Sequence, residues 1–126
     1  MSLSHAVENQ FAVLLGRDVV TASELRSGLA AVLTTSLLAE RPMLLFDLRD
    51  AGALELDTHD LDELGRVVER AGPTAKGARF AIVALADPVV DTALRFQEVT
   101  LALPIEVRVF RQIDAARAWL AYAEAE

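Results

Sequence analysis

The side chains best suited to chemistry are carboxylates that crowd one stretch in the middle of the sequence. Seven acidic residues fall within 17 positions: Asp47, Asp50, Glu55, Asp57, Asp60, Asp62 and Glu63. Because hard divalent cations prefer several oxygen ligands, one interpretation is a cation site. The other is a strand-end carboxylate, a solvated loop and a helix start, where acidic residues suit the helix dipole. The stretch lacks calcium-loop spacing, with its central Gly and terminal Glu, so we predict no metal.

The sequence offers little for nucleophilic catalysis. It has no cysteine, and its two histidines are His5, near the N-terminus, and His59. It contains no Gly-x-Ser-x-Gly segment and none of the glycine-rich fingerprints that bind phosphates or dinucleotides. We therefore predict a protein that is not an enzyme and that uses no cofactor. An enzyme built on Asp47, Asp57 and His59 is the weaker alternative.

Composition excludes several classes of protein. The 126 residues carry 12 basic and 19 acidic side chains, and the net charge of -7 argues against a nucleic-acid partner. An apolar fraction of 53% is enough to build a core and excludes disorder. No apolar run reaches the roughly 20 residues of a membrane helix, and no signal peptide is visible. We expect one cytoplasmic domain over residues 1–126, without membrane insertion.

The carboxylate-rich stretch follows a predicted central strand. Residues 43–46 are apolar on both faces, which is typical of a strand covered by helices on both sides. A polar connection is expected over residues 51–57. Thr58 is then a suitable N-cap for a helix that stops before Gly72.

Two strands and a helix are expected upstream of this strand. Residues 6–8 and 11–15 predict a strand pair, and residues 16–18 predict a turn or bulge. Residues 21–24 have the spacing of a capping box. The helix that they begin should end near Glu40, because the proline that soon follows cannot continue it.

Downstream, the pattern predicts two further strands and two further helices. Residues 79–85 predict a second buried strand, and Asp87 is a suitable N-cap for a helix that runs to about residue 102. Residues 105–110 alternate between apolar and charged side chains, which predicts a strand near a sheet edge. The last helix is expected over residues 113–123.

The helix predicted to start at Asp87 is apolar on nearly all sides. Such a helix is either deeply buried or part of an interface. In a domain this small, a contact within a homodimer is the more attractive interpretation. The candidate pocket or interface residues are Val89, Ala93 and Phe96.

The predicted order of elements is β-β-α-β-α-β-α-β-α. This alternation predicts the α/β class, as a single sandwich. Its sheet should be mixed and mostly parallel, with about five strands and about four helices packed around it. The N-terminal pair supplies the antiparallel part.

Three segments of the sequence resemble the SpoIIAA-like group of small bacterial proteins, which are related to the STAS domain of anti-sigma-factor antagonists. Residues 43–49 are similar to the central strand of that group, which ends in Asp-Leu-Arg. Residues 79–84 are similar to its next strand. Residues 105–110 and 115–120 are similar to its terminal strand and its Ala-x-x-Trp-Leu helix. Together these segments and their surroundings span nearly the whole chain.

The resemblance implies a binding role without catalytic machinery. In anti-sigma-factor antagonists, the helix after the central strand opens with Asp-Ser-Ser-Gly-Leu, and a partner kinase phosphorylates the second serine. The corresponding residues here are Asp57, Thr58, His59, Asp60 and Leu61. Asp57 and Leu61 match, His59 takes the phosphorylated position, and Asp60 replaces glycine. The candidate regulatory or binding residues are thus Asp57, Thr58 and His59.

Two functions follow from the resemblance. The first is a STAS-like interaction or regulatory module that binds a protein partner and forms a homodimer. The alternative is a carrier for a lipid or another small apolar molecule, because the group is also compared with SEC14-type lipid carriers. Its pocket would lie near the helix that carries Phe96.

Overall fold

The computed structural model describes residues 3–8, 11–33, 43–71 and 77–125. The order of elements is the predicted one. The elements are β1 (Leu3–Glu8), β2 (Phe11–Thr21), α1 (Ala22–Leu33), β3 (Met43–Glu55), α2 (Thr58–Ala71), β4 (Arg79–Ala84), α3 (Asp87–Val99) with a 3₁₀ turn (Thr100–Ala102), β5 (Glu106–Phe110) and α4 (Ile113–Ala125). The predicted end of the first helix, near Glu40, lies outside the described residues.

The five strands form one mixed sheet in the order β1-β2-β3-β4-β5. β1 and β2 are antiparallel, and the other neighbours are parallel. Successive parallel strands in one direction across the sheet, joined by right-handed crossovers, put the connecting helices on the same face. Accordingly α1, α2 and α3 cover one face, and α4 packs on the other. The predicted α/β architecture is confirmed.

β3 supplies side chains to both faces, as its apolar sequence predicts. Leu44 and Phe46 belong to the large core under α1, α2 and α3. Met43 and Leu45 belong to the smaller core under α4, where Leu120 is fully buried. Alternation along a strand sends successive side chains to opposite faces, so only a central strand buries every residue in this way.

The predicted polar connection over residues 51–57 is wrong for most of its length. β3 continues to Glu55, because β2 pairs with it from Ala12 to Thr21 through two shifts of register. The predicted irregularity at residues 16–18 is not a turn but the place where the register of β2 against β3 shifts twice. β3 carries one extra residue at each shift, and Asp18 on β2 has a positive φ of 60°. Aspartate is one of the few residues that tolerate this conformation.

The start of α3 also differs from the prediction. Its N-cap is Ala86, whose carbonyl accepts hydrogen bonds from the N–H groups of Val89 and Val90. Asp87 lies in the first turn instead, with a carboxylate oxygen 3.6 Å from the guanidinium of Arg111. Pro88 lies in the first turn, where its missing N–H would have had no intrahelical partner, so the helix accepts it there.

Candidate functional site

The start of α2 is held by a reciprocal pair of hydrogen bonds between Asp57 and Asp60. The N–H of Asp60 donates to Oδ1 of Asp57 at 2.8 Å, and the N–H of Asp57 donates to Oδ2 of Asp60 at 3.0 Å. The carbonyl of Asp57 accepts the N–H of Leu61 at 3.1 Å. This is a capping box in which Asp57 is the N-cap. The prediction that Thr58 caps this helix is therefore wrong.

Thr58 and His59 occupy the first turn of α2 and are exposed to solvent. The hydroxyl of Thr58 has no hydrogen-bond partner among the described residues. The His59 side chain is 75% exposed, and its Nε2 lies 3.9 Å from Oε1 of Glu63. Glu63 is engaged more closely by Arg66, whose guanidinium donates to the same oxygen at 2.6 Å. The structure thus presents Asp57, Thr58 and His59 together on one accessible turn.

The acidic stretch of the sequence does not form one cluster. Asp47 and Glu55 are eight residues apart on β3, which separates them by up to about 26 Å at roughly 3.3 Å per residue. No contact joins Asp47 to Asp57 or His59 in the described part of the chain. Within those same ranges, no three His, Asp or Glu side chains converge into a group that could hold a metal ion.

Asp47 is instead the buried member of a half-exposed ion pair on the α4 face. Its side chain is 9% exposed and accepts two bonds from the Arg49 guanidinium, Nε to Oδ1 at 2.9 Å and a terminal nitrogen to Oδ2 at 2.8 Å. These side-chain bonds lower the pKa of the Asp47 carboxyl, burial opposes them, and the charge of Arg117 on α4 adds to the lowering. The Asp-Leu-Arg motif thus has a structural reason in this chain, because it compensates a carboxylate buried beside α4.

The candidate residues on α3 lie inside the core. Val89, Ala93 and Phe96 are 0%, 3% and 7% exposed, so in this conformation they do not offer a surface to a second copy. The exposed apolar side chains of this segment are Leu94 and Leu101. Sequence reasoning missed these two as surface residues. Their seven-residue spacing, which repeats on one side of a helix, is the signal that would have identified them.

A small apolar cavity adjoins α3. Ala93 and Phe96 line it, with Thr92 as its single polar neighbour, but Val89 does not. Its other lining residues come from α1, α2 and the sheet: Leu25, Leu29, Phe46, Leu48, Leu54, Leu56, Leu61, Leu64 and Ile82. The volume is about 30 Å³. By comparison, an apolar cavity that binds benzene measures about 150 Å³. The carrier interpretation therefore gains no support from this cavity.

None of the helices within the described ranges combines the length and apolar character that a bilayer crossing requires.

Comparison with known proteins bears on the fold. The chain resembles the solved structure of an uncharacterized protein of the DUF3478 family, described as having a SpoIIAA-like fold, from Shewanella loihica PV-4. The TM-score is 0.58 at 15% identity, covering 94% of this chain and 91% of the other. No family model and no curated protein sequence matches the chain. The chain has a SpoIIAA-like fold, which confirms at that level the resemblance carried by its strands.

Proposed function

We propose that this chain is a non-enzymatic, STAS-like interaction module that binds a protein partner through the exposed start of α2, and that it forms a homodimer. One observation carries the proposal. In a chain with a SpoIIAA-like fold, Asp57, Thr58 and His59 are exposed to solvent, and the sequence resemblance relates this turn to the one that carries the regulatory serine of anti-sigma-factor antagonists. Fold alone does not assign function, so the proposal relies on what this turn offers chemically.

The turn is suited to modification at Thr58. Because Asp57 caps α2, the Thr58 hydroxyl is not needed to begin the helix. A phosphate on Thr58 would lie at the positive end of the helix dipole, which favours negative charge. It would add a charge of about -1.5 to -2 beside the carboxylates of Asp57 and Asp60. Phosphorylation would therefore change the charge of the binding surface while leaving the helix formed.

The test uses protein gently purified from its own host and examined by native mass spectrometry. The spectrum reports retained protein partners, and fragmentation locates any phosphate. Wild type, Thr58→Ala and Thr58→Glu are compared, with Ser27→Glu as the control because Ser27 is exposed on a different helix, α1. We expect a partner whose retention differs between Thr58→Ala and Thr58→Glu, while Ser27→Glu behaves as wild type. Absence of any partner, or equal retention by all four proteins, would overturn the proposal.

A further inference from the structure

β5 is an edge strand of the sheet in the part of the chain that the structure describes. β4 is its only neighbouring strand in the described ranges. The N–H of Glu106 donates to the carbonyl of Ala78 at 2.9 Å, toward β4. Because successive residues of a strand direct their backbone groups to opposite edges, those of Val107 and Val109 point outward. No described residue pairs with them. β5 therefore offers hydrogen-bonding groups to a further strand.

The charges on β5 are complementary to those of a second copy of the same strand. Glu106 and Arg108 lie on the α4 face, where Glu106 is 3.8 Å from Arg79 and Arg108 lies over the Trp119 ring. In an antiparallel pair centred on Val107, Glu106 of each copy stands opposite Arg108 of the other. This is a non-hydrogen-bonded position, where opposing side chains approach most closely. Opposite charges placed directly across such a pair are stabilising, and like charges are destabilising.

The other face of this edge carries exposed apolar side chains. Leu94 and Leu101 are 46% and 77% exposed. α3 packs against α2 through Val99, whose Cγ1 is 3.3 Å from where a Cβ on Gly65 would lie. Helical spacing places Leu94 on the opposite flank, toward β5. Leu101 lines a groove of about 200 Å³ that runs along β5, together with Ile105, Val107 and others.

We infer that a second copy of this chain docks along β5 in an antiparallel pair centred on Val107, which makes one continuous sheet. The two copies of Leu94 and Leu101 then cover each other on the α3 face. This inference rests on the homodimer in the proposed function and names its interface. An unpaired edge strand is otherwise a site of uncontrolled association, and the charge pattern here selects one register of self-pairing.

The experiment exploits the symmetry of the charges. In a dimer of the Glu106→Arg variant, both cross-strand pairs between positions 106 and 108 set a positive side chain opposite a positive one. In a dimer of the Arg108→Glu variant, both pairs set a negative side chain opposite a negative one. Mixing the two variants restores both opposite-charge pairs. We expect each variant alone to dimerise at least about tenfold more weakly than wild type, equivalent to 1.4 kcal/mol. The mixture should form a heterodimer, measured by sedimentation velocity and by native mass spectrometry.

Two controls separate this interface from general charge effects and from misfolding. Glu69→Arg and Arg26→Glu make the same charge changes at exposed positions of α2 and α1, and their mixture should behave as wild type. Leu101→Gln changes no charge at a side chain that is 77% exposed, and it should weaken the dimer without altering the circular dichroism spectrum. A wild-type dimer that all of these variants preserve would overturn the β5 interface and leave the homodimer standing. A wild-type chain that stays monomeric even when its concentration is raised 100-fold would overturn both the β5 interface and the homodimer.

Discussion

Replacing Asp47 with asparagine tests whether the ion pair between Asp47 and Arg49 on β3 stabilises the fold. The substitution removes the negative charge that receives two guanidinium bonds and a weaker backbone bond from Arg49 at 3.3 Å. A hydrogen bond to a charged group contributes about 1.5–3 kcal/mol. Because Arg49 is 42% exposed, its guanidinium regains water when the partner is lost, which reduces the penalty. We expect Asp47→Asn to lower the free energy of unfolding by about 2 kcal/mol at pH 7.

The same pair predicts a pH dependence with a definite sign. The pKa of Asp47 is lowered in the folded protein by the hydrogen bonds from Arg49. A lowered folded-state pKa means that the unfolded chain binds the proton more readily, so the contribution is complete above the ordinary aspartate pKa of about 3.9. It is lost as pH falls through the lower, folded-state pKa. The difference between wild type and Asp47→Asn should therefore be constant from pH 5 to 7 and shrink below about pH 4.

The assay is urea denaturation followed by circular dichroism at several pH values. Asp50→Asn is the matched control, because Asp50 is an exposed aspartate on the same strand. Arg49→Met and the double variant complete a double-mutant cycle, in which we expect a coupling of about 1–2 kcal/mol. If Asp47→Asn destabilises no more than Asp50→Asn, or if the coupling is near zero, the ion pair does not stabilise this fold.

Two further pairs of substitutions test local features of the structure by thermal denaturation. Asp57→Ala should destabilise the protein by about 1 kcal/mol because it removes the N-cap of α2. Thr58→Ala should change stability by less than about 0.5 kcal/mol. A larger loss of stability for Thr58→Ala than for Asp57→Ala would show that Thr58 is the cap. Gly16→Ala should destabilise by about 1–3 kcal/mol, since its Cβ would lie 2.8 Å from Cδ2 of Leu48. Gly52→Ala, where a Cβ meets nothing closer than 3.9 Å, should be nearly neutral. Equal effects at the two glycines would contradict the close packing around Gly16.

The order and type of the elements were predictable because each has a strong local signal. Residues 43–46 are apolar on both faces, and that pattern has few solutions other than a central strand. The capping box at the start of α1 was equally readable. The N–H of Glu24 donates to the Thr21 hydroxyl at 3.3 Å, and Glu24 accepts the Thr21 N–H at 3.2 Å. Both features depend on neighbours within a few residues.

The features that differ from the sequence predictions depend on residues elsewhere in the chain. Residues 51–55 belong to the predicted polar connection, but pairing with β2 across two shifts of register makes them part of β3. The exact start of α2 was ambiguous because Asp57 and Thr58 are both good N-caps. The spacing of Asp57 and Asp60, three residues apart, is the signal that identifies Asp57 as the N-cap. In both cases the pairing of β2 with β3, which fixes where β3 ends, outweighs the local preferences of the residues.

The α/β class, the element order and the resemblance to SpoIIAA-like proteins could all be read from the sequence, because periodicity and breaker residues record which side chains must be buried. It also placed Asp57, Thr58 and His59 at a helix start. The packing of the elements was needed to show that Val89, Ala93 and Phe96 face inward while Leu94 and Leu101 face outward. It also shows that, in the described ranges, β4 is the one strand beside β5. An apolar side chain looks the same in the sequence whether its own core or a second molecule covers it, and only the packing of the other elements separates the two.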